Sequence, residues 1–253
     1  MYRFFYIALF FACLFMASTS FVLYNKSSFT ILSKEDAAAL LQQVNHKYSS
    51  STSYSFAITH ATYAGYDAVN PYEKKAGYFK KFPAGFHSNI AGVHSIQNKN
   101  CLLTIDSAQK IIIVSNPKKG ADSWELQTKE YLKSLGKCNA IKIEQGDKTK
   151  TLRLEFDKRN PVSAYELCIN KNNEFQSTLI FYAREIVAKK LSGKKVKPKL
   201  SMVFDHYAWK VVPEKDELSE TRFITINSSN TLTLKEAYKN FTLLDHRIKN
   251  EKP

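Results

Sequence analysis

From Tyr54 onward apolar and polar residues alternate in many short segments, and that period of two commits most of the chain to β-strands. Tyr54, Phe56 and Ile58, for example, alternate with Ser55, Ala57 and Thr59. Similar segments cover 77–82, 86–97, 101–106, 110–115, 152–156, 165–169, 175–182, 200–207 and 223–226. The separators carry turn chemistry, as in Pro83 to Gly85, Asn98 to Asn100, Asn116-Pro117, Asn160-Pro161 and Asn170 to Asn173. Connections this short suit antiparallel neighbours, and no β-α-β alternation is visible. The pattern predicts an α+β fold with one curved, mainly antiparallel sheet.

One helix precedes the strands and a second interrupts them. Ser33 is a suitable N-cap, Glu35 and Asp36 place negative charge in the first turn, and Ala37, Leu40, Leu41, Val44 and Tyr48 recur at helical spacing, which predicts a helix over 33–48. A second is predicted over 123–135, capped by Ser123 or Asp122 and followed by Gly136, with Trp124, Tyr131, Leu132 and Leu135 on one face. Both are expected on the concave side of the sheet. Leu234, Tyr238, Phe241 and Leu244 give a weaker helical pattern over 234–248, and the basic stretch 187–199 reads as a long exposed loop.

The run from Phe4 to Tyr24 is almost wholly apolar and follows Arg3. It reads as a signal peptide over residues 1–20, cleaved after the small residues Ser18, Thr19 and Ser20, or as an uncleaved anchor reaching residue 24. A third reading, lipidation at Cys13, is opposed by Phe10 and Phe11. Residues 21–32 then form a tether and 33–253 a single domain, placed in the periplasm either free or held at the inner membrane. The net charge of +14 suits an anionic membrane surface, while export argues against nucleic acid. The lysines are dispersed, which favours a plain solvated basic surface. Cys101, Cys138 and Cys168 include no C-x-x-C pair, which argues against zinc. Either two of them pair or all three are unpaired thiols.

No enzyme signature survives a spacing test, and no cofactor is implied: there is no G-x-S-x-G elbow, Walker loop, Gly-rich dinucleotide turn or H-E-x-x-H. His87 and His94, read in one strand seven residues apart, fall on opposite faces, as do the neighbours Asp205 and His206. What stands out is the apolar load on alternating positions, a face that is either a conventional core or a cavity for an apolar ligand; as a cavity it is a pocket bounded by Phe56, Ile58, Phe79, Leu103, Ile105, Leu154, Phe156, Phe181 and Phe204. Trp124 and Tyr131 are the expected lid, and Lys80 and Lys81 the basic rim for an anionic headgroup.

The order of elements, with Gly77-Tyr78-Phe79-Lys80-Lys81-Phe82-Pro83, then Cys101-Leu102-Leu103-Thr104-Ile105-Asp106 and Ile111 to Pro117, resembles the periplasmic lipoprotein-carrier superfamily. That resemblance implies a half-barrel with a helical lid whose concave face holds acyl chains. Phe82 stands where the carriers place an arginine before the proline, and Ser107 replaces the glycine after Asp106. The expected function is therefore non-enzymatic binding of lipid or lipoprotein acyl chains for transport or presentation in the cell envelope. The alternative is an adaptor subunit with a filled core, working with other envelope proteins.

Overall fold

The computed structural model describes residues 29–117, 131–172, 175–188 and 193–247, so the leader lies outside the described residues. A two-residue strand, β1 (Thr30–Ile31), leads into helix α1 (Lys34–Ser50). Ser33 caps it: its Oγ accepts the Asp36 N–H at 3.0 Å, satisfying one of the orphan donors of the first turn. Ala37, Leu41, Val44 and Tyr48 are buried, and their spacing of three and four residues places them on one face.

A meander follows, comprising β2 (Tyr54–Tyr63), β3 (Glu73–Phe82), β4 (Gly85–Ile90), β5 (Val93–Gln97), β6 (Leu102–Asp106) and β7 (Ile111–Ser115). A second contains β8 (Cys138–Gln145), β9 (Thr149–Phe156), β10 (Val162–Asn170) and β11 (Gln176–Ala183), continues through a small hairpin of β12 (Ile186–Ala188) and β13 (Lys194–Val196), and ends in the long β14 (Lys199–Trp209). After it come a 3-10 turn (Glu220–Arg222), the hairpin of β15 (Ile224–Ile226) and β16 (Leu232–Leu234), another 3-10 turn (Glu236–Tyr238) and β17 (Thr242–Asp245). Thirteen strands form one open sheet in the order β1-β8-β9-β10-β11-β14-β2-β3-β4-β5-β6-β7-β17. Every pairing in it is antiparallel except β17 on β7. The two meanders meet at the pairing of β2 with β14.

Two apolar clusters lie on opposite faces of this sheet. The larger packs α1 and Leu135 against Phe56, Ile58, Phe79, Leu152, Leu154 and their neighbours. The smaller joins Ile96, Leu103, Ile105, Ile112 and Val114 to Phe223, Ile224 and the segment that follows. That C-terminal segment is thus a second cover, pinned by two buried carboxylates. Glu217 accepts from Lys80 Nζ at 2.7 Å, and Glu220 accepts from the amides of Asn98 and Asn100 at 2.5 and 2.7 Å. Across β8 to β11 the face away from α1 is polar instead, with Lys142, Glu155, Arg153, Glu166 and Tyr182 linked in one network.

Several sequence expectations need correction. The segment 86–97 is two strands, because Ala91 (φ +55°) and Gly92 (φ +90°) make the left-handed two-residue turn that a tight hairpin requires. The strand β8 was not anticipated at all. Residues 187–199 contain the β12–β13 hairpin rather than only loop, and the helix expected over 234–248 is instead the end of β16, a 3-10 turn and β17. Residues 131–135 of the second expected helix are helical, and the rest of it, Trp124 included, lies outside the described residues. Cys101, Cys138 and Cys168 are all free. Among the described residues no helix is long and apolar enough to cross a membrane.

Candidate apolar ligand site

Strand register decides which side chains share a face. Phe56 lies opposite Phe79, and Ile58 opposite Phe204. From Phe204 the same face continues through Met202 and Leu179, and through Leu200, Phe181, Tyr165 and Leu154 to Ile141. Phe156, two residues beyond Leu154, is on it as well. The fold therefore brings together Phe56, Ile58, Phe79, Leu154, Phe156, Phe181 and Phe204.

Leu103 and Ile105 are not among them. From Phe79 the face runs through Ser88, Ser95 and Thr104, whereas Leu103 pairs with Ile96 and Ile105 with His94 on the opposite side. There both are sealed under the C-terminal segment, at 0% and 2% exposure. The two lysines also separate. Lys80 is on the Leu103 side, bound to Glu217, while Lys81 Nζ donates to the Tyr48 carbonyl at 3.2 Å and sits over the Tyr54 ring, closing the end of α1.

The face is filled at one end and half-open at the other. Around the end of α1, Tyr48, Tyr54, Phe56, Phe79, Phe175, Phe204, Tyr207 and Trp209 form a continuous aromatic cluster with ring centroids 4.6–6.1 Å apart. Phe56, Ile58, Phe79, Leu154 and Phe204 are at most 3% exposed, so nothing enters between them. Toward the other end Phe156, Tyr165 and Phe181 stack edge to face at 4.9 Å, and Tyr165, Phe181, Leu200 and Met202 are only half-buried. Tyr131, at the start of the described helical residues, packs against the same cluster. A recess of about 40 Å³ beside Leu40, Val44, Lys150 and Ile169 holds little more than one water.

Sequence reasoning missed Phe175, Tyr165 and Tyr207 as members of this face. Tyr165 was legible as a strand residue two places from Leu167. Tyr207 was not, because a bulge between Asp205 and Ala208, with His206 at φ +50°, resets the alternation. The same bulge lets the His206 and Asp205 side chains hydrogen-bond at 2.8 Å on the exposed surface, contrary to the opposite-face expectation. The hairpin turn likewise brings His87 and His94 onto one face, with ring centroids 6.2 Å apart.

Electrostatics keep the apolar face uncharged. Burial pushes the Tyr48, Tyr131 and Tyr207 phenols well above their ordinary range, so all three are neutral at physiological pH. Their hydroxyls are used structurally: Tyr207 donates to the Gln176 carbonyl at 2.5 Å, and the Gln176 N–H donates to Tyr48 Oη at 3.3 Å. Among the described residues no group of three or more His, Cys, Asp or Glu side chains is placed to hold a metal ion.

No protein-family model and no curated protein matches the chain. Among solved structures it is similar to an uncharacterised conserved protein from Thermus thermophilus, at 10% identity and a TM-score of 0.46, over 83% of this chain and 99% of that one. It is also similar to the MucA/MucB complex structure of Pseudomonas aeruginosa, at 7% identity and a TM-score of 0.43, over 79% of this chain and 63% of that one. A third is the LolA superfamily protein NE2245 from Nitrosomonas europaea, at 12% identity and a TM-score of 0.31, over 73% of this chain and 98% of that one.

Proposed function

We propose that the chain is a non-enzymatic binding protein of the cell envelope, working in the periplasm, that receives an apolar chain such as a lipid or lipoprotein acyl group. In this reading 33–253 is one domain, its sheet is a curved half-barrel, and α1 and residues 131–135 cover the concave face. The observation that carries it is the graded burial along one apolar face: Phe56, Phe79 and Phe204 are sealed, while Tyr165, Phe181, Leu200 and Met202 are left half-covered. Partly covered apolar surface favours a ligand that removes it from water, at about 0.8 kcal/mol for each methylene buried. The site is accordingly smaller than the nine-residue pocket expected from sequence, and centres on Phe156, Tyr165 and Phe181.

Binding of a fluorescent fatty acid, in competition with phospholipid and acylated peptide, tests it. Micromolar binding that Phe181→Asp removes supports the reading, and the absence of binding to all three ligands ends it. The sealed aromatic cluster favours a second reading, an adaptor subunit whose core is already full. Native mass spectrometry separates the two, since a carrier purified from the envelope retains lipid and an adaptor retains a protein partner.

A further inference from the structure

The turns at one end of the sheet carry a surface that the ligand site does not explain. Tyr63 pairs with Lys199, Lys199 with Tyr182, and Ala183 with Val162, so the turn 64–72, the turn 157–161 and the β12–β13 hairpin all emerge at the same end. Two of them are tied together: Lys199 Nζ donates to the Tyr66 carbonyl at 2.8 Å, and Tyr66 Oη to the Ala183 carbonyl at 2.6 Å. Between them lies an open depression of about 420 Å³, lined by Tyr66, Asp67, Glu185, Lys195 and Lys197.

Two chemistries coincide here. Val69 and Ile186 are 85% and 47% exposed, although nothing in folding requires large apolar side chains at turn and hairpin positions in water. Around them Lys158, Arg159, Lys194, Lys195 and Lys197 are all exposed and outnumber the carboxylates Asp67, Asp157 and Glu185, of which Asp157 pairs with Arg159 at 3.1 Å and Glu185 with Lys195 at 3.5 Å. The segment 209–216 that follows β14 at the opposite end also exposes apolar side chains, Trp209 at 44% and Val212 at 82%, but within it Lys210 and Lys215 are balanced by Glu214 and Asp216. Exposed apolar tips within a net positive field are what an anionic bilayer accepts. The cations gain from the surface potential and the apolar side chains from burial below the headgroups.

We infer that this end of the sheet, through Val69, Ile186 and the lysines of the β12–β13 hairpin, docks on an anionic phospholipid bilayer. Phe181 and Leu200 lie on the strand ends that feed the hairpin, so docking directs the half-open end of the apolar face toward the membrane. That consequence rests on the proposed function, whereas the docking surface stands on its own residues.

The test reads position rather than bulk binding, using the full chain. Ile186→Trp and, separately, Val212→Trp are mixed with vesicles of phosphatidylcholine alone or in equal mixture with phosphatidylglycerol, the acyl chains carrying bromine as a quencher. The tryptophan introduced at 186 is expected to be quenched severalfold more than that at 212, and only with phosphatidylglycerol present. Lys194→Gln/Lys195→Gln/Lys197→Gln should lower the apparent affinity about tenfold or more, as should salt near 1 M, where the screening length is about 3 Å. Equal quenching at 212, equal quenching by neutral vesicles, or indifference to the lysine changes would each overturn the docking surface. Fatty-acid binding measured in solution on the same variants keeps the two ideas apart: its absence overturns the ligand reading and leaves docking standing.

Discussion

Glu217 sits 5% exposed between Lys80 and His87 on the face away from α1. Burial acts to raise its carboxyl, but hydrogen bonds from Lys80, the Glu214 N–H and His87 outweigh that and hold it below the usual range. A carboxylate depressed in the folded state stabilises fully above its unfolded pKa of about 4.3, and that contribution is lost as pH falls through the lower folded value. Glu217→Gln should therefore cost about 1–3 kcal/mol at neutral pH, and the gap from wild type should shrink below about pH 4; denaturant titrations at both pH values check this. The apolar face offers a paired contrast. Phe204→Asp places an unpaired charge in the sealed cluster and should unfold the protein, at a cost of at least 3 kcal/mol or so. Phe181→Asp sits at the half-open end and should leave a cooperative melt while removing ligand binding. If Phe181→Asp unfolds the protein as completely as Phe204→Asp, the face is closed throughout and the adaptor reading gains.

At the scale of elements, local chemistry was readable and pairing was not. Ser33 and the Ala37, Leu41, Val44, Tyr48 stripe define α1 within a few residues of each other, and the helix forms where they place it. Ser33→Ala should cost about 1 kcal/mol by removing the cap, seen as a lower melting temperature. Gly77 is more demanding: a Cβ there would lie 2.2 Å from the Asn89 carbonyl oxygen, so Gly77→Ala must push β3 and β4 apart. A loss of about 1–3 kcal/mol is expected in chemical denaturation. The wrong assignment of Leu103 and Ile105 has a simple origin. Alternation says that residues two apart share a face, but which face is set by partner strands far along the chain, and a turn of unexpected length inverts it. The C-terminal segment shows the converse. Leu234, Tyr238 and Phe241 do pack into the second cluster, so the apolar positions were informative; their spacing merely satisfied a hairpin strand and a 3-10 turn as well as a helix.

Across the whole molecule, the C-terminal segment and α1 cover different faces of a single sheet, and neither substitutes for the other. Ending the chain after Trp209 should uncover Ile96, Leu103, Ile105, Ile112 and Val114 together, giving a product that binds a hydrophobic dye and self-associates in size-exclusion chromatography. The strand order carries a further consequence, for the route by which the chain folds. Each meander pairs neighbours along the sequence and can close as soon as its residues are available. The seam of β2 with β14 joins Tyr63 to Lys199, and β1 must likewise wait for β8. Contacts of such long sequence separation carry a loop-closure cost before they contribute stability, which slows the step that makes them. Until β14 pairs with it, β2 presents an unpaired edge on the strand that carries Tyr54, Phe56 and Ile58, and that edge is open to pairing with another chain for as long as the seam is unmade.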